Sequence, residues 1–265
     1  MEPISPKHIT VTDPFWAPRI RTVADIVLPY QWRVLHDQVP GAPKSSCIAN
    51  FQKAAHAIAA AKAGGPRPTY PTDKWYYDNK NSQENAFMGW VFQDSDLYKW
   101  LEAAAYAIPY GNRAYLTEKS REAVEIIAAA QETDGYLDTL YSINGLQNRF
   151  TNLKDYHELY CFGHLAQAAC ARWTMQGERD LLDIACRAAD CICRTFGRGK
   201  RPGYPGHPWQ SWHWYNCMRS PARRTICKQP TFLSARGAPD RCFLTGNEAL
   251  TPTAATIFIT RPTAR

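Results

Sequence analysis

Asp155-Tyr156-His157-Glu158-Leu159-Tyr160-Cys161-Phe162-Gly163-His164-Leu165 is the stretch on which the fold turns. It places two histidines, a glutamate, a cysteine and two tyrosines at the opening of a helix that runs to Gln176 and stops at Gly177. Helical patterns of similar length lie on both sides. Downstream, Glu178 to Phe196 carries Leu181, Leu182, Ala185, Ala188, Ala189 and Ile192 on one face, with Gly197 as its stop. Upstream, Thr117 to Gln131 and the run from Asp94 to Ile108 read the same way, and Asp94-Ser95-Asp96 is a candidate cap. Ser46 to Ala63 is alanine-rich and ends at Gly64-Gly65-Pro66. Thr22 to Asp37 has helical spacing that Pro29 is expected to interrupt. Residues 22–197 thus offer about six helices, two longer loops at 64–83 and 135–154, and no strand signal of comparable strength. Antiparallel hairpins stacked in sequence predict an all-α fold, closed as a toroid because no fixed-length repeat marks a solenoid.

The pattern fails after Pro208. Residues 209–265 scatter prolines, arginines and three cysteines (Cys217, Cys227, Cys242), with no sustained period, and are expected to be poorly ordered. The net charge of +7 also divides there. Residues 1–208 hold 23 basic against 22 acidic side chains, and residues 209–265 hold 8 against 2. The basic character is local to the tail and forms no organised stripe, which argues against nucleic-acid binding. At 45% hydrophobic and 21% charged residues, the chain is globular in class. The N-terminus lacks a signal-peptide pattern and no segment is apolar enough to span a membrane, so a soluble, cytoplasmic protein is expected. Nine cysteines, several at helical positions, suit free thiols in a reducing compartment.

Chemistry-bearing candidates concentrate around the opening stretch. His157, Cys161 and His164 follow i, i+4, i+7 spacing, a conceivable metal face. The same spacing describes a plain buried stripe, and that is the reading taken. His157, at the helix start, is better suited to hydrogen bonding a sugar. Glu158 reads as a first-turn partner of the helix dipole. Pro205-Gly206-His207-Pro208 is a rigid turn that directs one imidazole. Asp94 and Asp96 read as caps rather than a catalytic pair. Cys186, Cys191 and Cys193 lack zinc-ligand spacing and read as buried thiols. No phosphate loop, G-x-S-x-G or H-E-x-x-H motif is present.

Five motifs in one order carry a resemblance. They are Asp13-Pro14-Phe15-Trp16, the run from Val91 to Ala103, the run from Gln131 to Leu137, the run from His157 to Leu165, and Pro205-Gly206-His207-Pro208. Residues 1–208 resemble the N-terminal part of glycoside hydrolase family 127, the β-L-arabinofuranosidases. The resemblance implies part of an (α/α)6 barrel. It implies a carbohydrate substrate bearing L-arabinofuranose, and a retaining mechanism with a zinc-held cysteine nucleophile, further cysteine and glutamate ligands, and a separate glutamate acid/base. Those roles belong to a later part of the family's barrel, and nothing in residues 209–265 matches them, so no catalytic or metal role is carried over. His157 and His207 match histidines that face or adjoin the sugar. Where the family continues with Glu and another helix, Trp209 follows Pro208, as a shifted reading frame or truncated gene near codon 209 would produce. The expectation is a fragment that is inactive alone, with no cofactor in this chain. The alternatives are a non-catalytic carbohydrate-binding or scaffold remnant, and another six-hairpin sugar enzyme.

Overall fold

The computed structural model describes residues 6–70, 76–77 (backbone), 85–196, 200–203 and 206. His207 and the tail over 209–265 lie outside the described residues. Among the described residues the fold is all-α apart from one two-residue ladder and an isolated bridge between Phe196 and Arg201. The elements are α1 (Trp16–Thr22), α2 (Leu28–Leu35), α3 (Cys47–Lys62), β1 (Tyr76–Tyr77), β2 (Gly89–Trp90), α4 (Asp94–Ala107), α5 (Arg113–Ala129), α6 (Thr139–Asn144), α7 (Glu158–Gln176) and α8 (Asp180–Thr195).

Pro29 does not interrupt the first helix as the spacing suggested. A π-helical turn over Val23–Val27 joins α1 to α2, and the proline sits just beyond it. The wider turn makes room for a ring that would otherwise strike the carbonyl four residues back, so helical dihedrals continue through it. Gln93, not an aspartate, occupies the N-cap of α4, and makes no side-chain capping bond. Two further differences concern lengths. The fifth helix starts at Arg113, because Asn112 Oδ1 accepts the Tyr115 N–H and caps it. Residues 139–144 form a short helix inside the span read as a loop, capped by the Asp138 carboxylate accepting from the Tyr141 N–H.

Contacts fix the direction of each helix. Ser95 on α4 lies against Cys161 on α7, and Glu102 further along α4 is hydrogen-bonded to Gln167 further along α7. The two therefore run parallel with their N-termini at one end. Fully buried Leu97, Ala104, Ala166, Ala168 and Ala169 give this pair a small, apolar core that lets the helices sit close. α3 runs the same way, with Cys47 Sγ donating to the Gln93 carbonyl at 3.4 Å and Phe51 lying 6.0 Å from the Tyr98 ring. α2 runs opposite: Ala24 packs at Gly111, beyond the end of α4, while the Leu28 carbonyl accepts from Trp100 Nε1 within it. α5 follows α2, since Lys119 lies over Trp32 and Glu122 reaches His36 one turn on. Parallel helices joined by antiparallel partners are the layering of an (α/α)6 barrel, and this chain forms part of one. Among the described residues, no helix is long and apolar enough to cross a membrane.

The long loop that follows α3 is pinned at both ends by one residue. Asn144, itself fully buried, accepts the Tyr70 N–H at its carbonyl (2.8 Å) and the Phe87 N–H at its side-chain oxygen (3.0 Å). One residue further on, Asn50 and Met88 exchange a reciprocal pair of hydrogen bonds. Arg67 adds a bidentate contact to buried Glu132.

Two glycines at positive φ separate strain from collision. A Cβ on Gly135 (φ +88) would lie 2.3 Å from the Arg187 carbonyl oxygen, whereas Gly177 (φ +76) has nothing within 4 Å. Gly177→Ala is expected to cost about 1 kcal/mol from the left-handed backbone alone. Gly135→Ala adds the collision of α8 with the 131–138 turn and is expected to cost about 3 kcal/mol or more. Urea midpoints of the two variants check this, and equal losses would contradict the close approach.

Candidate functional site

The N-terminal ends of α3, α4 and α7 gather at one end of the layer, and backbone strain gathers with them. The four described non-glycine residues at positive φ are Asp37, Ser46, Phe150 and His157. Ser46 and His157 are the N-cap positions of α3 and α7, and Asp37 Oδ1 accepts the backbone N–H groups of Ser45 and Ser46. Unusual dihedrals concentrated at one end of a fold make that end the candidate site.

His157 is the best-defined group there. Its backbone is left-handed (φ 60, ψ 16), its side chain is 8% exposed, and Nδ1 lies 2.6 Å from the Asp155 carbonyl oxygen. A carbonyl can only accept, so Nδ1 carries the proton in the neutral ring and Nε2 is the acceptor nitrogen. Phe92 (5.3 Å) and Tyr160 (5.6 Å) hold the ring by edge and tilted contacts. The imidazole is therefore fixed in both tautomer and direction.

The metal face suggested by i, i+4, i+7 spacing does not form. Tyr160 stands between the imidazoles of His157 and His164 (5.6 and 4.6 Å), while Cys161 is turned into the core against α4. Among the described residues no three histidine, cysteine or acidic side chains are placed to hold a metal ion. Burial raises the Cys161 and Cys47 thiols well above the ordinary range, and nearby Asp138, Asp94 and Asp96 carboxylates push in the same direction. A zinc-activated thiolate needs the opposite environment. The described residues therefore do not fit the zinc that the family resemblance implies. Cys191 is buried, whereas Cys186 and Cys193 are only half-buried.

Glu158 is not a solvated dipole partner. Its carboxylate is buried and accepts the Tyr136 hydroxyl at 2.5 Å and the Phe150 N–H at 2.9 Å. Asp94, which the sequence suggested as a cap, is also buried, and accepts the Thr139 hydroxyl (2.5 Å) and N–H (2.8 Å). Asp138 completes the group at 2% exposure. Its Oδ2, like the Tyr98 hydroxyl, has no hydrogen-bond partner among the described residues. Burial raises Asp94 to about 6 and Glu158 to about 7, and it raises Asp138 well above the usual range with help from the two neighbouring carboxylates. Tyr136 falls within the Gln131–Leu137 motif but was given no role there, and Asp138 and Thr139 carried no signal in the sequence.

Of the two predicted site residues, His157 lies at the N-terminal end of α7, and His207 lies outside the described residues. Gly206 is placed, with its N–H 3.4 Å from the Leu153 carbonyl oxygen, so the chain returns to the turn just ahead of α7. Gly206 must be glycine for this approach, since a Cβ would lie 2.1 Å from the Lys154 carbonyl oxygen.

The buried acids make stability depend on pH. Each holds its proton to higher pH when folded than when unfolded, so unfolding releases protons between about pH 4 and pH 7. Stability is full below that window and falls as pH rises through it. Urea unfolding at pH 5 and pH 7.5 should give the higher midpoint at pH 5, and Asp94→Asn should flatten the difference. A midpoint that rises with pH would show that these acids titrate normally.

Known proteins match this chain in sequence and in structure. The family described as "Beta-L-arabinofuranosidase, GH127 catalytic domain" matches residues 8–215. A non-reducing end β-L-arabinofuranosidase from Bifidobacterium longum subsp. longum is 37% identical over 211 residues, covering 76% of this chain and 30% of that protein. A GH127 β-L-arabinofuranosidase from Geobacillus stearothermophilus T6 superposes with a TM-score of 0.66 at 38% identity, covering 80% of this chain and 30% of the other. The GH127 β-arabinofuranosidase BT3674 gives 0.63 at 27% identity, covering 82% and 31%. The chain thus spans about 30% of the length of these relatives. With a family match over most of its length and a shared helical architecture, the chain belongs to the GH127 β-L-arabinofuranosidase family.

Proposed function

We propose that this chain forms a sugar-facing wall of a glycoside hydrolase that acts on β-L-arabinofuranosides. One observation carries the reading. His157 is held in a strained left-handed conformation at the N-terminal end of α7, with Nδ1 hydrogen-bonded to the Asp155 carbonyl, so the imidazole is fixed in tautomer and direction. A fixed imidazole can orient a furanose hydroxyl at little entropic cost. The relatives' names supply the sugar, since each is a β-arabinofuranosidase. His207, in the Gly-His-Pro turn that follows Gly206, is proposed as a second contact of the same wall.

Hydrolysis belongs in this reading to the whole barrel. The described residues bind and orient in this reading, because burial holds the Cys47 and Cys161 thiols protonated and Asp94 and Glu158 are tied up in hydrogen bonds to the 136–150 segment. Cys47, Cys161, Cys191 and Cys193 are free thiols, which suits the reducing cytoplasm proposed as its setting.

Methyl β-L-arabinofuranoside, titrated by ligand-observed NMR, tests the reading. Weak binding in the millimolar range is expected, lost in His157→Ala while circular dichroism stays unchanged. The purified chain should release no arabinose from aryl β-L-arabinofuranosides, with or without added zinc. Undiminished binding by the His157 variant would overturn the sugar-wall role. Zinc-dependent release of arabinose would overturn the division of labour.

A further inference from the structure

The segment just before α4 shows a second feature, beyond the imidazole. Gly89-Trp90-Val91-Phe92-Gln93 turns sharply so that Val91 is buried while Trp90 remains 47% exposed. Gln93 locks the turn from both sides: its Oε1 accepts the Trp90 N–H at 3.2 Å, and its own N–H donates to the Trp90 carbonyl at 2.9 Å. Gly89 is required there, because its φ is +92 and a Cβ would lie 2.8 Å from Gln93 Oε1. The β1–β2 pairing, with Tyr76 opposite Trp90, fixes the strand on its other edge.

The result is a column of rings leading outward from His157. Phe92 lies 5.3 Å from the imidazole, and the Trp90 indole stacks on Phe92 at 5.8 Å with the ring planes only 9° apart. An exposed indole normally costs solvation and gains little from the fold. Here a buried valine, a positive-φ glycine and a two-way glutamine hold one in place, two rings out from the proposed sugar contact.

We propose that Trp90, backed by Phe92, is the platform for a second sugar ring, the residue linked to the arabinofuranose held at His157. The C–H face of a saccharide is apolar and flat enough to pack on an indole, and it keeps its hydroxyls in water at the ring edge. This inference rests on the sugar-wall reading of His157 and adds what recognises the leaving side of the substrate. It makes Trp90 a determinant of preference for oligosaccharides over a single arabinose.

The probes are methyl β-L-arabinofuranoside and a β-L-arabinofuranosyl disaccharide, titrated against the full chain and its variants. The wild type should bind the disaccharide about tenfold more tightly than the monosaccharide. Trp90→Ala should bring that ratio to about one, and Trp90→Phe, which keeps a ring, should preserve most of it. His157→Ala should weaken both ligands. Three outcomes overturn the platform: a ratio unchanged in Trp90→Ala, equal loss of both ligands in that variant, or no disaccharide preference in the wild type. Loss of binding in His157→Ala alongside an unchanged ratio in Trp90→Ala removes only the platform. No binding of the monosaccharide by the wild type removes the His157 reading, and the platform with it.

Discussion

The parallel seating of α4 on α7 is the constraint from which the rest follows. Two helices of the same direction cannot be joined by a short turn, so the chain must travel back between them. That return carries α5, α6 and the 145–157 segment. Each parallel helix then uses its first-turn carboxylate to hold the return in place. Asp94 binds Thr139 at the start of α6, and Glu158 binds Tyr136 and the Phe150 backbone. Both acids sit where the helix dipole is positive, which offsets part of the cost of burying them. The polar centre of this fold is therefore a fastening for a crossover.

The strained residues lie where this fastening is tightest. Phe150 has positive φ at the point where both Glu158 oxygens meet its N–H. His157 has positive φ one residue before that glutamate. The crossover arrives, is clamped, and must enter α7 within a few residues, so the entry residue takes a dihedral that most side chains resist. Histidine tolerates this region better than branched residues do, and its ring gains a hydrogen bond to Asp155 in return. The packing that aligns the helices thereby also aims the imidazole.

Much of the fold was legible in the sequence. The period of the apolar residues located the five long helices α3, α4, α5, α7 and α8 near their true places, and the motifs pointed to part of an (α/α)6 barrel. Local propensity failed where tertiary contacts decided the outcome. Pro29 reads as a helix breaker, and only the π turn before it shows otherwise. Asp94 and Glu158 read as surface caps because a carboxylate is usually solvated, and the partners that permit their burial are separated from them by 45 and 22 residues or so in sequence. His157 could be picked out because helix-start histidines stand out against apolar periodicity. Trp90 could not, since a single tryptophan before a helix has no periodic signature.

The Asn144 clamp has a consequence for how such a barrel can diversify. Tyr70 and Phe87 both terminate on that one buried residue, so the span between them is closed at its base independently of its length or composition. Loop-closure entropy grows only slowly with length, and the neck already meets most of that cost. The helical scaffold is thereby insulated from changes in the length or composition of that span.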